Sequence, residues 1–150
     1  TQTFSKSRSL AGGRLGFGVA SEELIRDLNT IKYSTNPYNV NRMSMAAGIG
    51  ALEDEEYFKA NCRKIMENRS WTSCKLRELG FVFGDSQSNF IFATHPKVEA
   101  KELFQALKEE GIFVRYFSKP ERISNYLRIT IGTDEEMKEF VAFVEKYLKA

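Results

Sequence analysis

The order of strands and helices predicted for the second half of the chain is the feature that most limits its fold. Residues 81–150 read as strand, helix, strand, strand and helix. Gly111 ends the first of these helices, and a capping box of Thr133 and Glu136 opens the last. The three strands of this order are predicted over residues 89–94, 112–117 and 126–131, and a further short strand over 81–83 comes before them. This order predicts an α/β sandwich, with helices on one face of a mostly antiparallel sheet.

The first half of the chain predicts a different arrangement. Residues 15–20 are apolar and interrupted by glycine, which predicts a buried strand. Ser21 caps a helix, and an Ala- and Met-rich helix over about 41–52 is predicted to be mostly buried. A long helix follows from Asp54 and ends at Gly80, a left-handed C-cap. The predicted division is therefore a first domain over 1–52, a linking helix over 53–80 and a second domain over 81–150.

Composition excludes several classes of function. The net charge of +2 is too small to indicate attraction to nucleic acid or to a membrane surface. The sequence contains no apolar run long enough to span a bilayer and no signal peptide. Cys62 and Cys74 lie on one predicted helix, roughly 18 Å apart, beyond disulfide reach. They are predicted to be buried thiols of a protein in the reducing cytoplasm.

Residues 3–16, Thr-Phe-Ser-Lys-Ser-Arg-Ser-Leu-Ala-Gly-Gly-Arg-Leu-Gly, carry the chemistry. Lys6 offers an amine that can form a Schiff base with an aldehyde. Thr3 and Ser5 share a strand face, and Arg14 offers a planar fork, so these groups can hold a phosphate. The glycines permit close approach of the backbone and positive φ. These features suit a pyridoxal phosphate site, although the run taken alone also fits a solvated basic loop.

The same run resembles the cofactor-lysine motif of the fold type I aminotransferases, and most of all that of the histidinol-phosphate aminotransferases. The resemblance covers nearly the whole chain and keeps the family's order. It continues through Asn-Pro-Tyr-Asn-Val at 36–40, Ser-Asn-Phe at 88–90, Val-Arg-Tyr-Phe at 114–117 and Leu-Arg-Ile-Thr-Ile-Gly-Thr at 127–133. It implies the end of the large cofactor domain, followed by the small C-terminal α/β domain.

The resemblance also implies roles for single residues. Lys6 is the catalytic residue, which binds pyridoxal 5'-phosphate and moves a proton between the substrate Cα and the cofactor. Ser5 and Arg14, with Thr3 as a further candidate, hold the cofactor phosphate. Substrate binding falls to two arginines, Arg128 for the α-carboxylate and Arg115 for a phosphate. The apolar neighbours of Arg128 lead us to expect it to be buried.

The implied reaction moves an amino group between glutamate and imidazole acetol phosphate, in a homodimer and without a metal. His95, the only histidine, is predicted to be a loop residue rather than a metal ligand. The family's carboxylate for the pyridine nitrogen lies upstream of the lysine and has no match in residues 1–5. We therefore expect Thr1 to follow a cut through a larger protein, and this chain alone to be inactive, with residues 15–20 exposed for want of neighbouring strands.

Three alternatives remain open at this point. A threonine-phosphate decarboxylase or an aromatic aminotransferase of the same family would use the same lysine and arginines. In a different class, residues 81–150 would form a non-catalytic α/β interaction module, with residues 1–52 as a partner-binding arm.

Overall fold

The computed structural model describes residues 1–149, which divide into two compact units. The first unit is Thr1–Cys62 and the second begins at Arg63. The division falls inside a long helix, α3 (Glu55–Glu78), within the stretch that the sequence predicts as the link between domains. The assignment of the units to the large and small domains of an aminotransferase stays a prediction.

The first unit pairs two short strands and adds helices after them. Its elements before α3 are β1 (Gln2–Thr3), β2 (Gly16–Phe17), α1 (Glu22–Thr35) and α2 (Arg42–Glu53). The strands are antiparallel, with Thr3 opposite Gly16. The Ser21 hydroxyl accepts from the Leu24 N–H at 3.5 Å, so the predicted N-cap of α1 is confirmed.

Burial in this unit agrees with the expectation for β2 but not with that for α2. Both residues of β2 are exposed, as expected for residues 15–20 without neighbouring strands, because within residues 1–149 the only strand that pairs with β2 is β1. In α2 the buried residues are Ser44 and Gly48, whereas Met43 is 81% exposed. Ala- and Met-rich composition permits burial but does not supply the partner that burial needs.

A face of small residues docks α2 on the preceding loop. Ser44, Gly48 and Ala51 recur at spacings of four and three, so they share one side of the helix. A Cβ added at Gly48 would collide with the Leu15 side chain. Gly48 therefore sets how closely the loop approaches the helix.

The second unit is an antiparallel sheet in the order β3-β5-β4 with helices against one face. Its elements are β3 (Phe90–Ala93), α4 (Ala100–Glu109), β4 (Arg115–Tyr116), β5 (Leu127–Thr130) and α5 (Asp134–Lys149). The predicted element order is confirmed, although the strands are shorter than predicted and residues 81–83 contribute a single bridge, from Val82 to Thr94. The predicted capping box is present: Thr133 N donates to Glu136 Oε2 at 2.8 Å and Glu136 N to Thr133 Oγ1 at 3.3 Å.

The core of this unit lies between the sheet and its helices. Ile91 and Ile129 point from the sheet into it, and Leu103 of α4 and Phe140 of α5 meet them, all at most 2% exposed. The opposite sheet face carries half-buried aromatic rings and exposed arginines. The sheet therefore has one face buried by helices and one face available for other contacts.

Gly80 ends α3 in the left-handed conformation that the sequence predicts, with φ of 87°. His95 packs beside it and is buried, not a simple loop residue. Its Nε2 lies 3.2 Å from the Leu79 carbonyl, its Nδ1 accepts from the Lys97 N–H at 3.2 Å, and its ring centre is 5.0 Å from that of Phe81. Because Nδ1 accepts, Nε2 carries the hydrogen and donates.

Gly80→Ala is expected to destabilise the protein more than Gly111→Ala. Both glycines have left-handed φ, which costs a substituted residue about 1–3 kcal/mol. At Gly80 the new Cβ would also lie 3.1 Å from His95 Nε2, whereas nothing lies within 4 Å at Gly111. Urea unfolding measures the difference, and equal losses in the two variants would contradict the role given to His95.

The two cysteines of α3 differ in their burial. Cys62 is half-buried but Cys74 is exposed, so the prediction of two buried thiols is wrong for Cys74. The helix α3 places that thiol on an exposed side, near Glu78.

No helix within residues 1–149 has both the length and the apolar content needed to cross a membrane.

Candidate active site

The Lys6 loop, residues 3–16, is fixed at its start by Phe4. This residue is 5% exposed and its ring centre lies 6.1 Å from that of Phe17, edge to face. Its N–H donates to the Leu15 carbonyl at 3.0 Å, and its carbonyl accepts from the Leu10 N–H at 3.0 Å. The buried ring and the two backbone bonds hold both ends of the loop together.

Lys6 begins a tight turn within that loop. Ser9 N donates to the Lys6 carbonyl at 3.1 Å, which closes the turn. The Lys6 side chain is exposed, and no hydrogen bond or ion pair joins its ammonium to any other residue from 1 to 149. The amine is thus accessible to a ligand.

The hydroxyl groups of Thr3 and Ser5 are brought together, as their shared strand face predicts. Thr3 Oγ1 donates to Ser5 Oγ at 2.9 Å and accepts from the Ser5 N–H at 3.1 Å. Thr3 is exposed and Ser5 is half-buried. The pair therefore presents hydroxyl oxygens directly before Lys6.

Arg14 closes the other side of the loop in a strained conformation. Its φ is 50° and its ψ is 39°, the left-handed region that non-glycine residues rarely adopt. Its Nη1 donates to the Ala11 carbonyl at 3.2 Å, which leaves its other N–H donors free. The guanidinium is exposed, as a phosphate-binding group must be.

Strain is concentrated in this loop in a way that the glycine pattern does not predict. Among residues 1–149, the non-glycine residues with left-handed φ are Ser9 and Arg14, and both lie in the Lys6 loop. Gly12 and Gly13, where we expect positive φ, do not have it. Gly16 instead serves close approach, because a Cβ there would lie 2.8 Å from the Gln2 carbonyl oxygen. Such strain clusters at ligand clamps and active sites.

These residues fit a cofactor that carries an aldehyde and a phosphate. The loop offers a free amine at Lys6, paired hydroxyls at Thr3 and Ser5 and a guanidinium at Arg14. Hydroxyls, backbone N–H groups and an arginine fork are the usual ligands of a phosphate. Pyridoxal phosphate, the cofactor that the resemblance implies, presents both of these groups.

The second unit brings Arg115 and Arg128 together. They are Cα partners across β4 and β5, and Arg128 is also opposite Phe92 of β3. Residues directly opposite lie on the same sheet face, with Cβ atoms about 4.5–5.5 Å apart. We refer to Phe92, Arg128 and Arg115 as the arginine row.

The burial expected for Arg128 is wrong. Leu127 and Ile129 are 2% and 1% exposed, whereas Arg128 between them is exposed because side chains alternate across a strand. Arg115 is exposed on the same face. Like charges placed opposite one another destabilise a sheet, and no salt bridge offsets this pair among the residues that the structure describes. An anion bound at this face would relieve that repulsion.

Aromatic rings surround the arginine row. Arg128 Cζ lies 5.5 Å from the centre of the Phe90 ring, and Arg115 Cζ lies 5.6 Å from that of Phe117. Phe92 stacks on Tyr126, with ring centres 4.7 Å apart. Cation–π contact holds a guanidinium in place while leaving its N–H donors for carboxylate or phosphate oxygens. These contacts therefore leave guanidinium N–H donors of the row available for an anion.

Gly48→Ala is expected to disturb the Lys6 loop, whereas Gly50→Ala on the same helix is not. A Cβ at Gly48 would force Leu15, the neighbour of Arg14, to move, but one at Gly50 meets nothing within 4 Å. Overpacking of this kind costs about 1–3 kcal/mol, and glycine to alanine in open helix gains about 1 kcal/mol. Thermal unfolding together with the Kd for pyridoxal phosphate measures both effects, and an unchanged Kd for Gly48→Ala would contradict the prediction.

Known proteins share both the sequence and the fold. Residues 1–144 match the family described as Aminotransferase class I and II. The histidinol-phosphate aminotransferase of Brachyspira hyodysenteriae is 53% identical over 148 residues, which are 99% of this chain and 42% of that protein. This chain thus spans less than half the length of that relative.

Solved aminotransferase structures have a similar fold. The histidinol-phosphate aminotransferase of Clostridium acetobutylicum has a TM-score of 0.87 at 21% identity, over 97% of this chain and 44% of that one, which shows a common fold. That of Sinorhizobium meliloti, solved in complex with pyridoxal-5'-phosphate, has a TM-score of 0.80 at 26% identity, over 98% of this chain and 40% of that one. Family match, sequence identity and fold lead to the same conclusion: the chain belongs to the class I and II aminotransferases.

Proposed function

We propose that the protein is a pyridoxal-phosphate-dependent histidinol-phosphate aminotransferase, which moves an amino group between glutamate and imidazole acetol phosphate. The observation that carries the choice of substrate is the arginine row. Arg128 and Arg115 place two cations side by side on an exposed sheet face, which suits a reaction whose two substrates carry different anionic groups, the α-carboxylate of glutamate and the phosphate of imidazole acetol phosphate. The name of the 53% identical relative supports the same substrate.

The Lys6 loop is proposed to hold the cofactor. Ser5 and Thr3 would bind its phosphate through their hydroxyls, and Arg14 through its free N–H donors. Lys6 would anchor it through its amine. When bound, pyridoxal phosphate withdraws electrons from the substrate Cα and so weakens the Cα–H bond.

The chain's own residues would then act on the substrate. Arg128 would hold the α-carboxylate of glutamate through a bidentate contact, and Arg115 would hold the phosphate of imidazole acetol phosphate. Holding each substrate by its anionic group limits its orientation and so fixes the direction of the Cα–H bond. Lys6 Nζ takes the proton from Cα as general base and returns a proton as general acid.

A substrate comparison tests the proposal in the full-length protein supplied with pyridoxal phosphate. Glutamate with imidazole acetol phosphate is expected to give 2-oxoglutarate at the highest kcat/KM. Release of CO₂ from O-phosphothreonine would indicate a decarboxylase instead. Preference for an aromatic 2-oxo acid would indicate an aromatic aminotransferase, and the absence of any cofactor absorption band would indicate a non-catalytic module. Light scattering in the same buffer tests the homodimer that the resemblance implies.

A further inference from the structure

We propose that Arg8 is a positioning residue for Lys6, because its guanidinium ties the turn that carries the lysine to helices α2 and α3. The inference rests on the proposed function of Lys6 and extends it to a residue outside the cofactor-binding set. Arg8 is not assigned any contact with cofactor or substrate.

The contacts of Arg8 reach two other elements. Its Nη1 donates to the Ala51 carbonyl at 2.7 Å, and its Cζ lies 3.8 Å from the centre of the Phe58 ring. Ala51 is in the last turn of α2, where carbonyls lack a partner within the helix and the helix dipole is negative. The Arg8 guanidinium donates a hydrogen bond to such a carbonyl and places a positive charge at the negative end of the dipole. The Phe58 ring keeps the guanidinium plane in this orientation.

The place of Arg8 in the turn connects these contacts to Lys6. Lys6 lies two residues after Phe4 and two before Arg8, and within residues 1–149 its own side chain makes no hydrogen bond or ion pair that would hold it. The buried Phe4 fixes one side of the turn and the half-buried Arg8 fixes the other. The Lys6 backbone is therefore located by its two anchored neighbours.

The strained residue next to Arg8 supports the same role. Ser9 has φ of 53° and its N–H closes the turn on the Lys6 carbonyl. A left-handed serine persists only where its surroundings hold it in that conformation. Anchoring of Arg8 to α2 and α3 supplies that restraint, and its loss would let the turn open.

Displacement of Lys6 would lower the rate of the chemical step. Misplacing a reacting group by about 1 Å can cost about 10²-fold in rate. Arg8→Ala is therefore expected to lower kcat by roughly 10- to 100-fold, while the KM values for both substrates change less than about threefold. A merely structural role would lower the melting temperature and leave kcat of the folded, cofactor-loaded enzyme unchanged.

The experiment compares Arg8→Ala, Arg8→Lys and Phe58→Leu with Arg26→Ala in the full-length protein. Arg26 is the matched control, since its side chain is 72% exposed on α1 and its one ion pair within residues 1–149 is with its neighbour Asp27. Arg8→Lys keeps a donor for the Ala51 carbonyl but loses the planar stack, so it should fall between wild type and alanine. Phe58→Leu removes the stack alone and should also be intermediate.

Hydrogen exchange in the cofactor-free protein gives a second readout. Arg8→Ala is expected to speed exchange in a peptide covering residues 4–15 by about tenfold and to leave a peptide from α5 unchanged. Unchanged exchange, or a kcat within twofold of wild type once the cofactor is loaded, would overturn the inference. If wild type itself neither binds cofactor nor transfers amino groups, the proposed function fails, while the exchange comparison still decides whether Arg8 holds the turn.

Discussion

Lys6→Ala is expected to lower kcat for amino transfer by about 10⁴-fold or more, because one substitution removes both the covalent anchor of the cofactor and the base at the substrate Cα. Among the candidate residues, no other substitution removes two functions at once. Lys6→Arg should be equally inactive, since a guanidinium stays protonated and cannot take the Cα proton. Single-turnover kinetics with glutamate measure the loss directly.

Rescue separates a chemical role of Lys6 from a structural one. Its side chain is exposed and makes no hydrogen bond or ion pair with other residues in the range 1–149, so its removal should leave the melting temperature of the cofactor-free protein unchanged. A small amine such as methylamine should restore part of the rate in Lys6→Ala and none in Lys6→Arg. Activity of Lys6→Ala within tenfold of wild type would show that another residue does the proton transfer.

Arg115→Ala and Arg128→Ala are each expected to lose activity, but with different substrates. Removing a bidentate guanidinium from its anion costs about 2–5 kcal/mol, and each 1.4 kcal/mol is tenfold, so kcat/KM should fall by roughly 30- to 4,000-fold. For Arg128→Ala the loss should be large with glutamate, which carries an α-carboxylate, and small with imidazole acetol phosphate, which has none. For Arg115→Ala it should be large with the phosphorylated substrate and small with its dephosphorylated analogue.

The second unit also supplies the controls for this prediction. Arg122, exposed in the same unit on the short helical turn before β5, should tolerate alanine without loss. Arg128→Lys should recover little, because an ammonium cannot match a carboxylate with two parallel donors. Equal losses for both substrates in Arg115→Ala would show that Arg115 does not bind the phosphate.

Features that depend on neighbouring residues in the chain are predicted well. The cap at Ser21, the capping box of Thr133 and Glu136, and the left-handed Gly80 all depend on hydrogen bonds or φ within a few residues. Their residue types satisfy a local requirement regardless of the rest of the fold. The element order of the second unit follows from the same local signals.

Burial is predicted less well because it depends on distant partners. Met43 lies in an Ala- and Met-rich helix and Cys74 in a long helix that also carries a half-buried thiol, yet both residues are exposed. The exposure of Arg128 did have a signal, since alternation with Leu127 and Ile129 places it on the opposite sheet face. Arg128 is thus exposed although both of its neighbours in the sequence are apolar and buried.

The candidate site is also only partly readable in sequence. Lys6, Thr3, Ser5 and Arg14 are predicted from their types and spacing, and the structure pairs the hydroxyls of Thr3 and Ser5 as expected, whereas the roles of the four residues at a cofactor stay predictions. Left-handed φ at Ser9 has no sequence signal, because glycine is the usual residue there. Arg8 could not be found either, since its acceptor at Ala51 lies 43 residues away.

The most direct test is to locate the cofactor on the chain. The full-length protein is loaded with pyridoxal phosphate, reduced with borotritide, digested and sequenced, which marks the residue whose amine binds the cofactor aldehyde. Label is expected at Lys6, in the peptide that follows Thr3-Phe-Ser, with none in Lys6→Ala. Label on any other lysine, or equal label in wild type and Lys6→Ala, would contradict the assignment of the Lys6 loop as the cofactor site.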